Sequence, residues 1–285
     1  MGCAPSRLHR RREADFSLIA PLSLARRALC SRQARPQALG FPHLSPSLTF
    51  SRGLHGVVFC SMCERYVLPA QIDAEREFEP AQRWWKFSTN FNVSFPQFVP
   101  VIRAHDGATE GVMMRWGLIP PEAEGVALPD EMPGFEFEKL GSTPESRDPW
   151  LNSQRCIIPV AGFYGWQRTA QGYRQPYFIS VLDRAVCGLA AFWTRSESED
   201  DDVIESFSII TVPANPLVAE IVGAQGRMPA ILRRKDYGTW LTSTPVQAKA
   251  TLHAYPENWM RAHAVSPRVN SVKYNDPSLI RPIAV

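Results

Sequence analysis

Cys156-Ile157-Ile158-Pro159-Val160 is a short, wholly apolar run. It is too brief for an ordinary helix and carries a β-branched residue at three of five positions, which favours a buried strand. Runs of the same kind recur along the chain. They span Val99 to Arg103, Gly111 to Trp116, Tyr177 to Leu182, Val186 to Trp193 and Phe207 to Val212, and turn or polar residues separate them. Ser196 to Asp202 (SESEDDD) reads as a charged hairpin loop with a solvated face. Helical signals are fewer. Pro69 to Phe78 starts with Pro in a first helical turn and continues amphipathically. Arg234 to Leu241 and Pro245 to Leu252 read as short surface helices. Strands in runs with segregated helices predict an α+β fold, with a mostly antiparallel, barrel-like sheet and a few short flanking helices.

Residues 1–61 differ from the rest. Nine Arg, no Lys and two acids (Glu13, Asp15) give this segment a charge of +7. The remaining 22 basic and 26 acidic residues give 62–285 a charge of −4, so the basic balance of the whole chain comes from the leader. The leader has neither helical nor strand periodicity. Three readings of it stay open: upstream sequence from a misplaced start codon, a targeting segment, or a propeptide removed before Cys63. A secretory signal fits poorly, because the apolar run Phe16 to Ala25 is short and precedes Arg26-Arg27. In each reading the working protein is a single domain over 62–285. All eight Trp lie there, so a sizeable core is expected. No transmembrane span and no internal repeat is found.

Cysteine use gives little metal or redox signal. Cys60 and Cys63 form a lone C-x-x-C, whereas a structural zinc site needs four ligands. Cys156 and Cys187 are singletons, and no βαβ pattern surrounds the pair. No metal and no cofactor is expected, and the odd count within 62–285 suggests a reducing compartment.

Met62-Cys63 carries the sharper chemistry. Loss of Met62 leaves Cys63 with its α-amine and thiol on adjacent carbons. With an aldehyde the amine forms an imine, releasing water, and the thiol then adds to the C=N carbon to close a thiazolidine ring. The second step is intramolecular and gains accordingly.

Met62-Cys63-Glu64-Arg65 resembles the MCGR start of the SRAP family (SOS response-associated peptidases, or abasic-site processing proteins). Further stretches resemble that family in order: Phe91-Asn92-Val93, Val99-Pro100-Val101-Ile102-Arg103, Arg115-Trp116-Gly117-Leu118-Ile119-Pro120, Arg155-Cys156-Ile157-Ile158-Pro159 with Gly162-Phe163-Tyr164-Gly165-Trp166, Arg227-Met228-Pro229-Ala230-Ile231-Leu232, and Val265-Ser266 with Val269-Asn270. The resemblance implies a compact α+β fold with a positively charged groove. It also implies binding of single-stranded DNA at abasic sites, and a thiazolidine DNA–protein crosslink through Cys63 in the DNA-damage (SOS) response. The expected partner is single-stranded DNA containing an abasic site. A monomer without membrane association is expected, cytoplasmic and nucleoid-associated in a bacterial host.

This copy departs from the family at three polar positions. The Glu of GFYEW is Gly165, and the His ahead of RMP falls at Val222. The NARxE segment falls near Gly134-Phe135-Glu136-Phe137-Glu138, which has no Asn and no Arg. Such acid–base groups are worth ~10²–10⁴-fold in rate. Three readings follow: a slower crosslinker through Cys63, a degenerate pseudoenzyme that binds DNA without catalysis, and a peptidase that removes its own leader. His105, His253, His263, Glu136 and Glu138 are spare titratable groups, each read first as structural or solvated.

Expected DNA contacts are Arg65, Asn92, Trp116, Trp166, Arg227 and Asn270. Arg65 would hold a phosphate beside the reacting sugar. Trp116 and Trp166 would stack bases, with a core role as the competing reading. Arg227 is a backbone contact or a salt-bridge partner, and Asn92 competes with a turn role. Arg268 and Lys273 flank Asn270 and would add to the groove. A charge of −4 excludes a broadly basic, non-specific binder but not a local cluster of cations.

Overall fold

A computed structural model describes residues 65–120, 132–197 and 203–284. Leader residues, Cys60, Cys63 and most of the SESEDDD loop lie outside the described residues.

The strands, in chain order, are β1 (Arg65–Leu68), β2 (Gln82–Arg83), β3 (Asn90–Ser94), β4 (Phe98–His105), β5 (Ala108–Trp116), β6 (Gly134–Glu136), β7 (Arg155–Val160), β8 (Gly162–Arg168), β9 (Arg174–Val181), β10 (Cys187–Glu197), β11 (Val203–Pro213), β12 (Arg227–Pro229), β13 (Ile231–Leu232) and β14 (Met260–Ala264). The helices are α1 (Gln71–Phe78), α2 (Pro144–Leu151), α3 (Pro216–Val222), α4 (Tyr237–Thr242) and α5 (Pro245–Lys249). The six apolar runs all become strands, so the expected α+β class with a largely antiparallel sheet holds.

The barrel can be traced from pairing alone. β5 pairs β4, β4 pairs β7, β7 pairs β10 and β10 pairs β11, each antiparallel. β11 then pairs β5 in parallel at Ser206↔Arg115 and Phe207↔Trp116, closing a ring of five strands. Side chains alternate across a strand, so register sorts the ring into two faces. Val99, Val101, Val112, Met114, Trp116, Cys156, Ile158, Leu189, Ala191, Phe207 and Ile209 share one face, and all are buried. The helices cover the other face. Phe78 of α1 and Tyr237 of α4 press on Gly188, where an added Cβ would lie 3.2 and 3.1 Å from their rings, and the Trp85 ring covers Gly111, where an added Cβ would lie only 2.6 Å from it. Arg103 sits at one end of the inner face, bonded to Glu110 (2.6 Å) and Glu205 (2.7 Å) with its guanidinium over Trp193.

A second, five-stranded sheet runs β14-β9-β8-β1-β3, with every pair antiparallel. A smaller apolar cluster lines it: Val67, Tyr164, Phe178, Val265, Val269 and Leu279. Here β1 meets β8 only at Tyr66↔Phe163 and Val67↔Gly162. Among the described residues, the β8 edge from Gly165 onward has no β1 partner.

Helix boundaries shift from expectation for local reasons. α1 starts at Gln71, because Ala70 is the extended N-cap that follows Pro69. Arg234–Asp236 is a 3₁₀ turn ahead of α4, and α5 ends at Lys249. α3 was not anticipated, although Asn215 caps it through Val218 N and Pro216 takes the first turn. Hairpin β10–β11 pairs out to Glu197↔Val203, so Ser196 and Glu197 belong to a strand rather than to the loop. Arg155 is the largest buried cation. It caps the end of α4 by donating to the carbonyls of Trp240 (2.5 Å) and Ser243, between the rings of Trp150 and Trp240. Burial without a carboxylate pushes its guanidinium down to about 10, which still leaves it charged at neutral pH.

Candidate nucleic-acid site

Four of the expected site residues meet in one hydrogen-bonded cluster. Arg65 opens β1, two residues after Cys63. Its guanidinium donates to Asn92 Oδ1 at 2.9 Å and to the Asn270 carbonyl at 3.2 Å. Asn92, in β3, is buried, and its amide donates to the carbonyls of Ser271 (3.0 Å) and Tyr274 (2.9 Å). Trp166, in β8, donates its indole N–H to Asn270 Oδ1 at 2.8 Å. The 3₁₀ turn Pro267–Asn270 presents Asn270, and Val269, fully buried in the small cluster, anchors that turn. Sheet and turn therefore fix one another, and Asn92 acts as the peg between them.

Local chemistry reinforces this arrangement. Tyr164 donates its hydroxyl to the Phe91 carbonyl at 2.7 Å. Burial pushes the phenol well above its ordinary pKa, with Arg65 pulling the other way. Asp276 accepts from the backbone and hydroxyl of Ser278 and pairs with Arg268 at 3.0 Å. Those Ser278 bonds, more than the Arg268 charge, hold its carboxyl below the usual range. Arg268 is thus committed to Asp276, Ser278 and the Tyr274 ring, whereas Lys273 is exposed.

Two expected contacts lie elsewhere. Trp116 is fully buried at the barrel mouth. It packs against a tilted Tyr66 ring and an edge-on Phe95 ring at centroid distances of 5.0 and 5.8 Å, and its indole N–H donates to the Pro133 carbonyl at 2.8 Å. No ring face is left for a base, so the stacking assignment for Trp116 is corrected to a core role. Arg227 donates to both carboxylate oxygens of Glu138, at 3.3 and 2.7 Å, and to the Thr211 hydroxyl and carbonyl. It is a salt-bridge residue rather than an open backbone contact. Glu138 and Glu136 lie in the segment aligned with the missing NARxE. Glu136 pairs with Lys139 at 3.1 Å and lies on β6 beside β11. His263 bonds the Ile280 carbonyl at 2.9 Å and meets Phe178 edge-on, a structural role. His105 and His253 are exposed.

Gly165 and Val222, the positions expected to depart from the family pattern, face each other. A Cβ on Gly165 would lie 3.3 Å from Val222 Cγ1, 3.3 Å from Ile221 and 3.1 Å from Ile179. The contact is apolar and close-packed. Beside it lies a cleft of about 540 Å³ lined by Trp166, Gln167, Arg168, Arg174 and Glu220 to Gly223. The sequence does not single out Ser271 and Tyr274, whose contribution to Asn92 is through backbone carbonyls. Their side chains gave no signal.

The family model of the SOS response associated peptidases (SRAP) matches residues 62–272. The chain belongs to this family. Among SRAP relatives, the abasic site processing protein YoqW of Bacillus subtilis (strain 168) is 30% identical over 226 residues, covering 77% of this chain and 99% of the relative. The abasic site processing protein HMCES of Mus musculus is 28% identical over 202 residues, covering 60% of this chain and 56% of the relative. Two crystal structures share the fold. A Bacteroides thetaiotaomicron protein has a TM-score of 0.65 at 22% identity, covering 78% of this chain and all of its own. A Bordetella bronchiseptica protein has a TM-score of 0.63 at 25% identity, covering 72% of this chain and all of its own. Among the described residues no helix is long and apolar enough to cross a membrane.

Proposed function

We propose that this SRAP protein processes abasic sites, binding single-stranded DNA and joining it through a thiazolidine at Cys63. One observation carries the reading. Arg65, on β1, is held by Asn92 and Asn270, and two residues of chain can separate its Cα from that of Cys63 by no more than about 7 Å. A guanidinium fixed there can hold the phosphate next to the lesion while the 1,2-aminothiol reacts with the sugar aldehyde. One water leaves as the imine forms, and the thiol proton passes to nitrogen as the ring closes. The working protein starts at Cys63, whatever the origin of residues 1–61, and acts as a monomer.

Gly165 and Val222 favour a second reading, that of a binding protein without catalysis. Their contact leaves no titratable side chain to open the sugar ring or to reverse the crosslink. The first reading predicts a slow crosslinker whose adducts persist, because ring closure needs chiefly the aminothiol. Self-removal of the leader is the third reading. Intact mass of the purified chain bears on it directly: a terminus at Cys63 agrees, and a chain retaining residues 1–61 with no processing opposes it.

The deciding experiment mixes protein expressed from Met62 with single-stranded DNA carrying one abasic site, resolved on a denaturing gel. A shifted band that disappears in Cys63→Ala and with intact-base DNA is expected. If a folded protein with its Met removed gives no band, the binding-only reading replaces the first. Installing Gly165→Glu with Val222→His should raise the crosslinking rate, within the ~10²–10⁴-fold range of acid–base help. Gly165→Glu alone should raise it less, because Val222 gives the new carboxylate no proton-transfer partner.

A further inference from the structure

Arg168 and Arg174 sit directly opposite each other at the end of the β8–β9 hairpin. Like charges in that position repel. Both are exposed, and among the described residues neither has a carboxylate within ion-pair distance. By contrast, Arg103 is paired with Glu110 and Glu205, Arg184 with Glu77, Arg227 with Glu138 and Arg268 with Asp276. What sets the Arg168–Arg174 pair apart from other exposed arginines is its surroundings. Arg174 lies over the Trp166 ring at 5.6 Å, and Trp166 bonds Asn270, whose carbonyl accepts from Arg65. Both arginines line the cleft beside β8, with Glu220 the one acid among its described lining residues. Arg65, Asn270, Trp166, Arg174 and Arg168 thus form a continuous path over the described surface that begins at Arg65.

We propose that Arg168 and Arg174 form a clamp for backbone phosphates of single-stranded DNA, seating the strand that continues from the reacting sugar. This rests on the DNA-binding reading above and adds the route of the strand. Phosphates between the two guanidiniums remove the cross-strand repulsion. The stacked Arg174–Trp166 pair offers the edge against which the neighbouring nucleotide lies. The clamp is independent of Cys63 chemistry, so it operates in a crosslinker and in a binding-only protein alike.

The test uses the full chain and a fluorescent single-stranded oligonucleotide bearing a tetrahydrofuran abasic analogue. That analogue has no aldehyde and reports binding alone. Affinity is measured against salt for the unaltered protein, Arg168→Gln, the Arg168→Gln/Arg174→Gln double variant, and Arg147→Gln on α2 as a control. Each lost single-strand phosphate contact should reduce the slope of log affinity against log salt by about 0.7. The double variant should therefore lose about 1.4 in slope and about tenfold in affinity at low salt. Arg168→Gln should lose about half of each, and Arg168→Lys/Arg174→Lys should recover the slope because charge is kept. Melting temperature should hold or rise in the double variant as repulsion is relieved. Slopes and affinities unchanged from Arg147→Gln would overturn the clamp, even if the protein crosslinks abasic DNA efficiently. A loss of slope with no crosslinking to aldehyde-bearing DNA would keep the clamp and remove the catalytic reading instead.

Discussion

Trp116 and Trp166 are both motif tryptophans, each near the end of a strand, and each indole N–H is satisfied at 2.8 Å. Their settings are otherwise opposite. Trp116 is sealed between Tyr66 and Phe95 where the barrel closes, donating to main chain. Trp166 is half-buried on the open sheet, donating to a side chain on a surface turn, with an arginine over its ring. The barrel uses aromatic mass to exclude water, and the five-stranded sheet uses it to orient polar groups. A motif residue's chemistry is therefore set by which side of its strand meets the core.

The sharpest way to break this contrast is to truncate both rings. Trp116→Ala should destabilise by ~3–5 kcal/mol in chemical denaturation, as large core deletions do. A loss below about 1 kcal/mol would deny it the core role. Next comes Asn92→Ala, which strips partners from Arg65 and from two backbone carbonyls. It should cost ~2 kcal/mol in stability and slow crosslinking, because Arg65 loses its seat. An unchanged rate would mean Arg65 is positioned by other groups.

Trp166→Ala should do the reverse of Trp116→Ala. Stability should move little, while single-strand affinity falls by ~1–3 kcal/mol if a base lies on the ring. Equal affinity would restrict Trp166 to holding Asn270. Smaller still is Glu138→Gln: the carboxylate is 45% exposed, so its pair with Arg227 should be worth less than ~1 kcal/mol. The salt slope of DNA binding should not change. A steeper slope on freeing Arg227 would show that it can reach a phosphate.

Acid provides the mildest probe of the turn that presents Asn270. The Asp276 carboxyl is depressed in the folded state, chiefly by Ser278 and then by Arg268. Its contribution is present above the unfolded value near ~3.9 and is lost as pH falls through the lower folded value. Hydrogen exchange over 267–280 should therefore rise below about pH 4. Asp276→Asn should show no such step.

The barrel was legible because its strands are long and apolar. The small sheet was less so: β1, β3 and β14 are four or five residues each and pair with distant partners. α2 escaped notice because Pro149 interrupts it. Asn92, Asn270, Arg65 and Trp166 were found through motifs, and only the structure shows that they touch. Trp116 could have been read correctly. It lies in phase with Val112 and Met114 along β5, and that alternation signals an inward face. Arg168 and Arg174 flank an unremarkable turn, so their pairing emerges only from register.

Four of the five pairings in the barrel ring leave it open; the parallel β11–β5 contact shuts it. That seam joins Ser206 to Arg115, segments made far apart in time during synthesis. Non-local pairings of this kind form late in folding. Until β11 arrives, the Arg115–Trp116 end of β5, beyond its short pairing with β2 at Glu110 and Gly111, is a bare edge that a neighbouring chain can occupy. The seam is thus the point at which a nascent chain commits either to itself or to its neighbours.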